Sequence, residues 1–127
     1  MRGAVLRGGF AGEKMSFEEL VQRLLAIPYD EERKNHPGSF EYVLSTRHLN
    51  HLYPILEEYF GKPFKPAGKP PTREAEEYAR SYGGIQKNQT LYFFKRDGME
   101  NRGMIWPWND GTRVTVKVIQ GPSPEGK

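Results

Sequence analysis

Hydrophobic residues recur at helical spacing in three segments of the chain. These segments are residues 17–27, 45–60 and 73–82. Ser16 and Glu19 form a capping-box pattern before the first segment, and Thr72 is placed as the N-cap of the third. Pro54, inside the second segment, predicts a kink or a break into two short helices. The pattern therefore predicts three helices, or four if the second one breaks.

Apolar and polar residues alternate along the C-terminal third of the chain, which is typical of strands. The predicted strands are residues 90–96, 103–108 and 112–120. The turn-forming sequences Asp97-Gly98 and Asn109-Asp110-Gly111 lie between them, and such short connections make consecutive strands antiparallel neighbours. This part of the chain predicts a three-stranded antiparallel β-meander.

Two further segments connect these elements. Residues 29–39 are predicted to be a polar loop that ends in a His-Pro-Gly turn. Residues 40–45 alternate as a short strand does, although a first helical turn capped by Ser39 also fits. Residues 62–71 contain four prolines and three lysines, which predicts an extended connector that cannot join the interior of a sheet.

Together the elements predict an α+β fold, with three to four helices packed on the C-terminal three-stranded antiparallel β-meander and an optional extra strand near residues 40–45. A chain of 127 residues suits a single domain, which we place at residues 15–120. Residues 121–127 are predicted to be a disordered tail. Residues 1–14 are interpreted either as a disordered tail, whose Arg-Gly pairs resemble fragments of an RNA-binding segment, or as a misassigned start upstream of Met15.

The composition narrows the chemistry available to the protein. The sequence contains no cysteine, which excludes disulfides, a thiolate nucleophile and cysteine-based metal sites. It has no apolar stretch long enough for a signal peptide or a membrane helix, so we expect a soluble cytoplasmic protein that does not bind membranes. We expect no cofactor, because the glycines follow no P-loop or dinucleotide-binding pattern.

The net charge of +3 is concentrated near the N-terminus. Residues 1–14 hold three basic residues and one acidic residue, a surplus of +2, so the rest of the chain carries only 3 − 2 = +1. A nearly neutral fold lacks the strong positive field that usually supports binding to nucleic acid.

The predicted meander supplies the candidate binding surface. Alternation places Trp106 and Trp108 on one face of the middle strand, and Arg113 and Lys117 on the face of the last strand opposite its valines. The full candidate set is Trp106, Trp108, Tyr92, Phe94, Lys95, Arg113 and Lys117. Aromatic residues beside cations are typical of protein interfaces, and also of surfaces that stack single-stranded bases. Because the fold is nearly neutral, a protein partner or homo-oligomer is the favoured hypothesis, and single-stranded nucleic acid is the alternative.

A second alternative is a small enzyme with a pocket centred on His48. His48 and His51 are three residues apart, a spacing that could hold a metal if His36 or Glu58 supplied a third ligand. The favoured interpretation is that both are ordinary histidines at the border and surface of a helix, with no metal site. We also find no G-x-S-x-G elbow for a nucleophile, so the sequence favours a binding or accessory role over catalysis.

Overall fold

A computed structural model of the protein describes residues 15–123, which form three α-helices and one five-stranded antiparallel sheet. The helices are α1 (Phe17–Leu25), α2 (Leu49–Phe60) and α3 (Arg73–Ala79); the strands are β1 (Glu31–His36), β2 (Ser39–Ser45), β3 (Thr90–Arg96), β4 (Met99–Pro107) and β5 (Arg113–Pro122). The strand order is β1-β2-β5-β4-β3. The α+β class is therefore confirmed. The predicted tail at residues 1–14 and residues 124–127 of the predicted C-terminal tail lie outside the described residues. Residues 121 and 122, also predicted to belong to that tail, instead continue β5.

The sheet is larger than the predicted meander. Strands β3, β4 and β5 form the meander, and the optional strand near residues 40–45 is β2, which pairs with β5 so that Tyr42 lies opposite Val116. The prediction of a polar loop before it was wrong, because Glu31–His36 is a strand paired with β2. All six of its residues are exposed, so it carries no burial alternation that a sequence pattern could reveal.

The helix starts follow the local sequence signals. Ser16 and Glu19 make both bonds of the capping box, at 2.9 and 3.0 Å. The predicted break in the second helix falls earlier than Pro54: Thr46–His48 forms a 3₁₀ turn, and α2 then continues through Pro54 to its end. Pro54 and Asn50, whose carbonyl loses its helical partner, are both exposed, so water can solvate that carbonyl.

The sheet is covered on both sides. Helices α1 and α2 pack on the side that we call the inner face, where the largest hydrophobic cluster includes Phe40, Leu44, Leu56 and Val118. Helix α3 packs on the opposite, outer face, where Ala75 and Ala79 join Leu91, Met104 and Ile119 in a second cluster. No helix within residues 15–123 has the length and apolar character needed to cross a bilayer.

The proline-rich connector is fixed by a buried lysine. The side chain of Lys65 is 2% exposed, and its ammonium donates to the carbonyls of Gln86, Lys87 and Gln89 at 2.7, 2.6 and 2.5 Å. Three charge-assisted hydrogen bonds satisfy the cation, which offsets the cost of removing it from water. The connector is thereby held against the loop that leads into β3.

Candidate functional site

Strand β5 separates the two faces as its alternation predicts. Val114, Val116 and Val118 are buried on the inner face with the helices. Arg113 and Lys117 point to the outer face, which α3 covers beside β3 and β4. Among residues 15–123, no helix covers the outer face beside β1, β2 and β5, so this part of the sheet is the candidate binding surface.

Trp106 lies at the boundary between these two parts of the outer face. The Lys117 ammonium is 5.0 Å from the centre of its ring, within the range of a cation–π interaction. The turn after α3 abuts the same ring: a Cβ added to Gly83 would lie 2.8 Å from it. The indole N–H is buried and has no hydrogen-bond partner among residues 15–123. This indole is consequently wedged between the sheet and the turn.

Trp108 lies just beyond the end of β4 and is anchored to β5. Its indole N–H donates to the Thr115 hydroxyl at 3.0 Å, which fixes the orientation of the ring. The guanidinium groups of Arg113 and Arg33 lie 5.6 and 6.0 Å from the ring centre. Both predicted tryptophans are therefore half-buried on the outer face, each beside a cation.

The cations beside the indoles are paired with carboxylates. Arg113 bonds Asp30 at 2.7 Å, and Lys117 lies 3.5 Å from Glu41. Arg33 lies 3.4 Å from Glu31 and 3.7 Å from Glu41. We call this surface the indole patch; it consists of Trp106, Trp108, Arg33, Arg113, Lys117, Asp30, Glu31 and Glu41. Its three cations and three carboxylates give it a net charge of zero.

The structure does not bring the whole candidate set together. Tyr92 and Phe94 lie on the inner face, because Phe60 of α2 packs against both rings, with ring centres 5.3 and 5.8 Å away. Burial raises the pKa of Tyr92, and its hydroxyl has no partner among residues 15–123. Lys95 is on the outer face but beside Glu100, at the far end of the sheet from Trp108. Trp106, Trp108, Arg113 and Lys117 are the members that share one surface.

Four members of the indole patch were missed by sequence reasoning: Asp30, Glu31, Arg33 and Glu41. Arg33 belongs to β1, a strand with no alternation, and it sits at the β-bulge between Glu32 and Lys34. Glu41 could have been found, because it lies between Phe40 and Tyr42, which face inward, and must therefore face outward with Lys117.

The two histidines remain separate from this surface. His48 ends the 3₁₀ turn, is the N-cap residue of α2 and is partly buried, whereas His51 is exposed; their ring centres are 6.2 Å apart. Glu58, one of the two side chains suggested as a third ligand, instead bonds Arg23 at 2.9 Å. Residues 15–123 contain no group of three or more acidic or histidine side chains suited to a metal ion. The enzyme with a His48-centred pocket stays a hypothesis.

Comparison of the chain with protein-family models, with curated proteins and with solved structures gives no significant match.

Proposed function

We propose that the protein is a cytoplasmic, non-enzymatic binding module that self-associates through the indole patch. The observation that carries the proposal is the combination of two half-buried indoles with a balanced set of charges. Tryptophan and arginine are enriched at the energetic centres of protein interfaces. A surface that carries equal numbers of cations and carboxylates can be complementary to itself when a twofold axis places opposite charges together.

Sedimentation velocity over micromolar to millimolar concentrations tests this proposal. We expect the wild-type protein to form a dimer and Trp108→Ala to remain a monomer, with circular dichroism confirming that the variant is folded. Tyr53→Ala is the matched control, because Tyr53 is an exposed aromatic residue on α2, on the other side of the sheet. A monomeric wild type, or a Trp108→Ala variant that dimerises as well as the wild type, would contradict the proposal.

Single-stranded nucleic acid is a second candidate, favoured by the proximity of flat indole rings and cations. It has less support, because all three cations of the indole patch are paired with carboxylates that phosphates would have to displace. Tryptophan fluorescence during titration with an oligothymidylate at low salt distinguishes the two. A salt-sensitive change in fluorescence would favour nucleic acid, and no change would leave self-association as the function to test.

A further inference from the structure

A pocket of about 250 Å³ lies on the inner side of the sheet, away from the indole patch. It is bounded by the start of α1, by Tyr59 of α2 and by the end of the sheet at the β3–β4 turn. Elsewhere on the inner face these strands present apolar residues such as Phe94 and Val118. At the pocket the inner face becomes polar.

Three polar side chains form the floor of the pocket. Asn101 is 2% exposed, and its side-chain oxygen accepts from the Tyr59 hydroxyl at 2.6 Å and from the Gln120 amide at 3.0 Å. Gln120 also donates to the Tyr59 hydroxyl at 3.4 Å. Burying polar side chains at these positions costs free energy, whereas burying apolar side chains there would not. Among the hydrogen bonds of residues 15–123, neither the Asn101 amino group nor the Gln120 carbonyl is used, so both are available to a bound molecule.

Side chains of both positive and negative charge lie at the rim of the pocket. The Arg96 guanidinium lies over the Phe94 ring at 5.0 Å and has no carboxylate within 4 Å among residues 15–123. Two carboxylates, Glu18 and Asp97, line the same opening and make no ion pair within those residues. One cation with two separate carboxylates matches a zwitterion better than a simple anion, since each end of a zwitterion then has a partner.

The apolar walls and the volume of the pocket indicate the character and size of the remaining part of the ligand. Phe17 and Met99 supply apolar surface. At about 250 Å³ the pocket is smaller than the usual nucleotide or drug-sized site, which suits a small ligand. We propose that this pocket binds a free α-amino acid with an apolar side chain. Its carboxylate meets Arg96, its ammonium meets Glu18 and Asp97, and its side chain lies against Phe17 and Met99.

Saturation-transfer NMR on the full-length protein tests the proposal with three probes of the same side chain. L-leucine carries both charges, L-leucinamide lacks the carboxylate, and N-acetyl-L-leucine lacks the ammonium. We expect saturable transfer to L-leucine, and binding of each analogue weaker by about tenfold or more because one charge pair is lost. Absence of binding by L-leucine, or equal binding of the three probes, would overturn the proposal.

Two variants locate the site. Arg96→Gln should weaken L-leucine binding by about tenfold or more, because the carboxylate loses its cation. Arg73→Gln is the matched control, since Arg73 is exposed at the start of α3 on the outer side of the sheet. Both substituted residues are at the surface, so circular dichroism should show folded proteins. If L-leucine binds the two variants equally well, the pocket at Arg96 is not the site and the inference fails.

Discussion

Lys65 and Leu91 exchange two backbone hydrogen bonds, with the N–H of each donating to the carbonyl of the other at 3.0 and 2.9 Å. This isolated bridge attaches the proline-rich connector to the edge strand β3. The buried ammonium of the same lysine binds three carbonyls of the following loop. Through backbone and side chain together, Lys65 joins two segments that are more than 20 residues apart in the sequence.

Lys65→Met should therefore destabilise the protein by about 3 kcal/mol, since it leaves three carbonyls without their cation. Urea unfolding followed by circular dichroism measures the change. Lys69→Met is the control, because Lys69 is exposed in the same connector and its replacement should cost less than about 0.5 kcal/mol. Equal stabilities of the two variants would show that the carbonyls do not depend on the ammonium.

Tyr42 and Tyr92 allow the same substitution to be compared at two fully buried sites. The Tyr42 hydroxyl donates to the Leu24 carbonyl at 2.8 Å, whereas the Tyr92 hydroxyl has no partner among residues 15–123. Tyr42→Phe should cost about 1 kcal/mol, because it removes a buried hydrogen bond to the Leu24 carbonyl, which then keeps the N–H of Ile27 as a donor. Tyr92→Phe should be neutral or stabilising by up to about 1 kcal/mol, because it removes an unpaired hydroxyl. Thermal and urea unfolding of both variants provide the comparison, and the reverse order of stabilities would refute it.

Gly103 makes room for an aromatic ring. A Cβ added at this position of β4 would lie 2.7 Å from a ring atom of Phe60, which is itself packed against Tyr59 and Tyr92. Gly103→Ala should therefore cost about 1–3 kcal/mol through overpacking. Gly121→Ala in β5 has nothing within 4 Å of the new Cβ and serves as the control. Equal denaturation midpoints for the two variants would mean that Phe60 moves aside freely.

Alkaline pH should unfold the protein cooperatively. Burial raises the pKa of Tyr59 to about 12 and raises the pKa values of Tyr42 and Tyr92 as well. Above pH ~10 the unfolded chain loses protons that the folded protein keeps, so the free energy of unfolding falls by about 1.4 kcal/mol per pH unit for each tyrosine. Tyrosinate absorbance and circular dichroism should therefore change together above pH ~10. Ionisation of all seven tyrosines near pH 10 with the fold intact would contradict this expectation.

Local signals predicted the parts of the fold that local chemistry determines. Ser16 and Glu19 predicted the start of α1, and Asp97-Gly98 predicted the β3–β4 turn, where both residues have positive φ angles of 55° and 77°. The valines of β5 predicted which side of the sheet meets the helices. These features depend on neighbours within a few residues or on a simple period.

The remaining features depend on partners distant in sequence. Strand β3 is apolar on both faces because α2 covers one side and α3 the other, so its pattern could not assign Tyr92 and Phe94 to a face. Glu31–His36 is a strand only because β2 pairs with it. The pocket at Asn101 combines residues of α1, α2 and the sheet, and no spacing in the sequence connects them.

The two margins of the sheet limit how copies of the chain can assemble. At one margin, β1 offers four consecutive charged residues interrupted by a bulge at Arg33. At the other, Lys65 is flanked by two prolines one or two residues away, which have no N–H to donate to an incoming strand. The charged, bulged strand at one edge and the prolines at the other both disfavour pairing of a further strand with the sheet. Association through the indole patch should therefore stop at a closed pair rather than grow into a fibre.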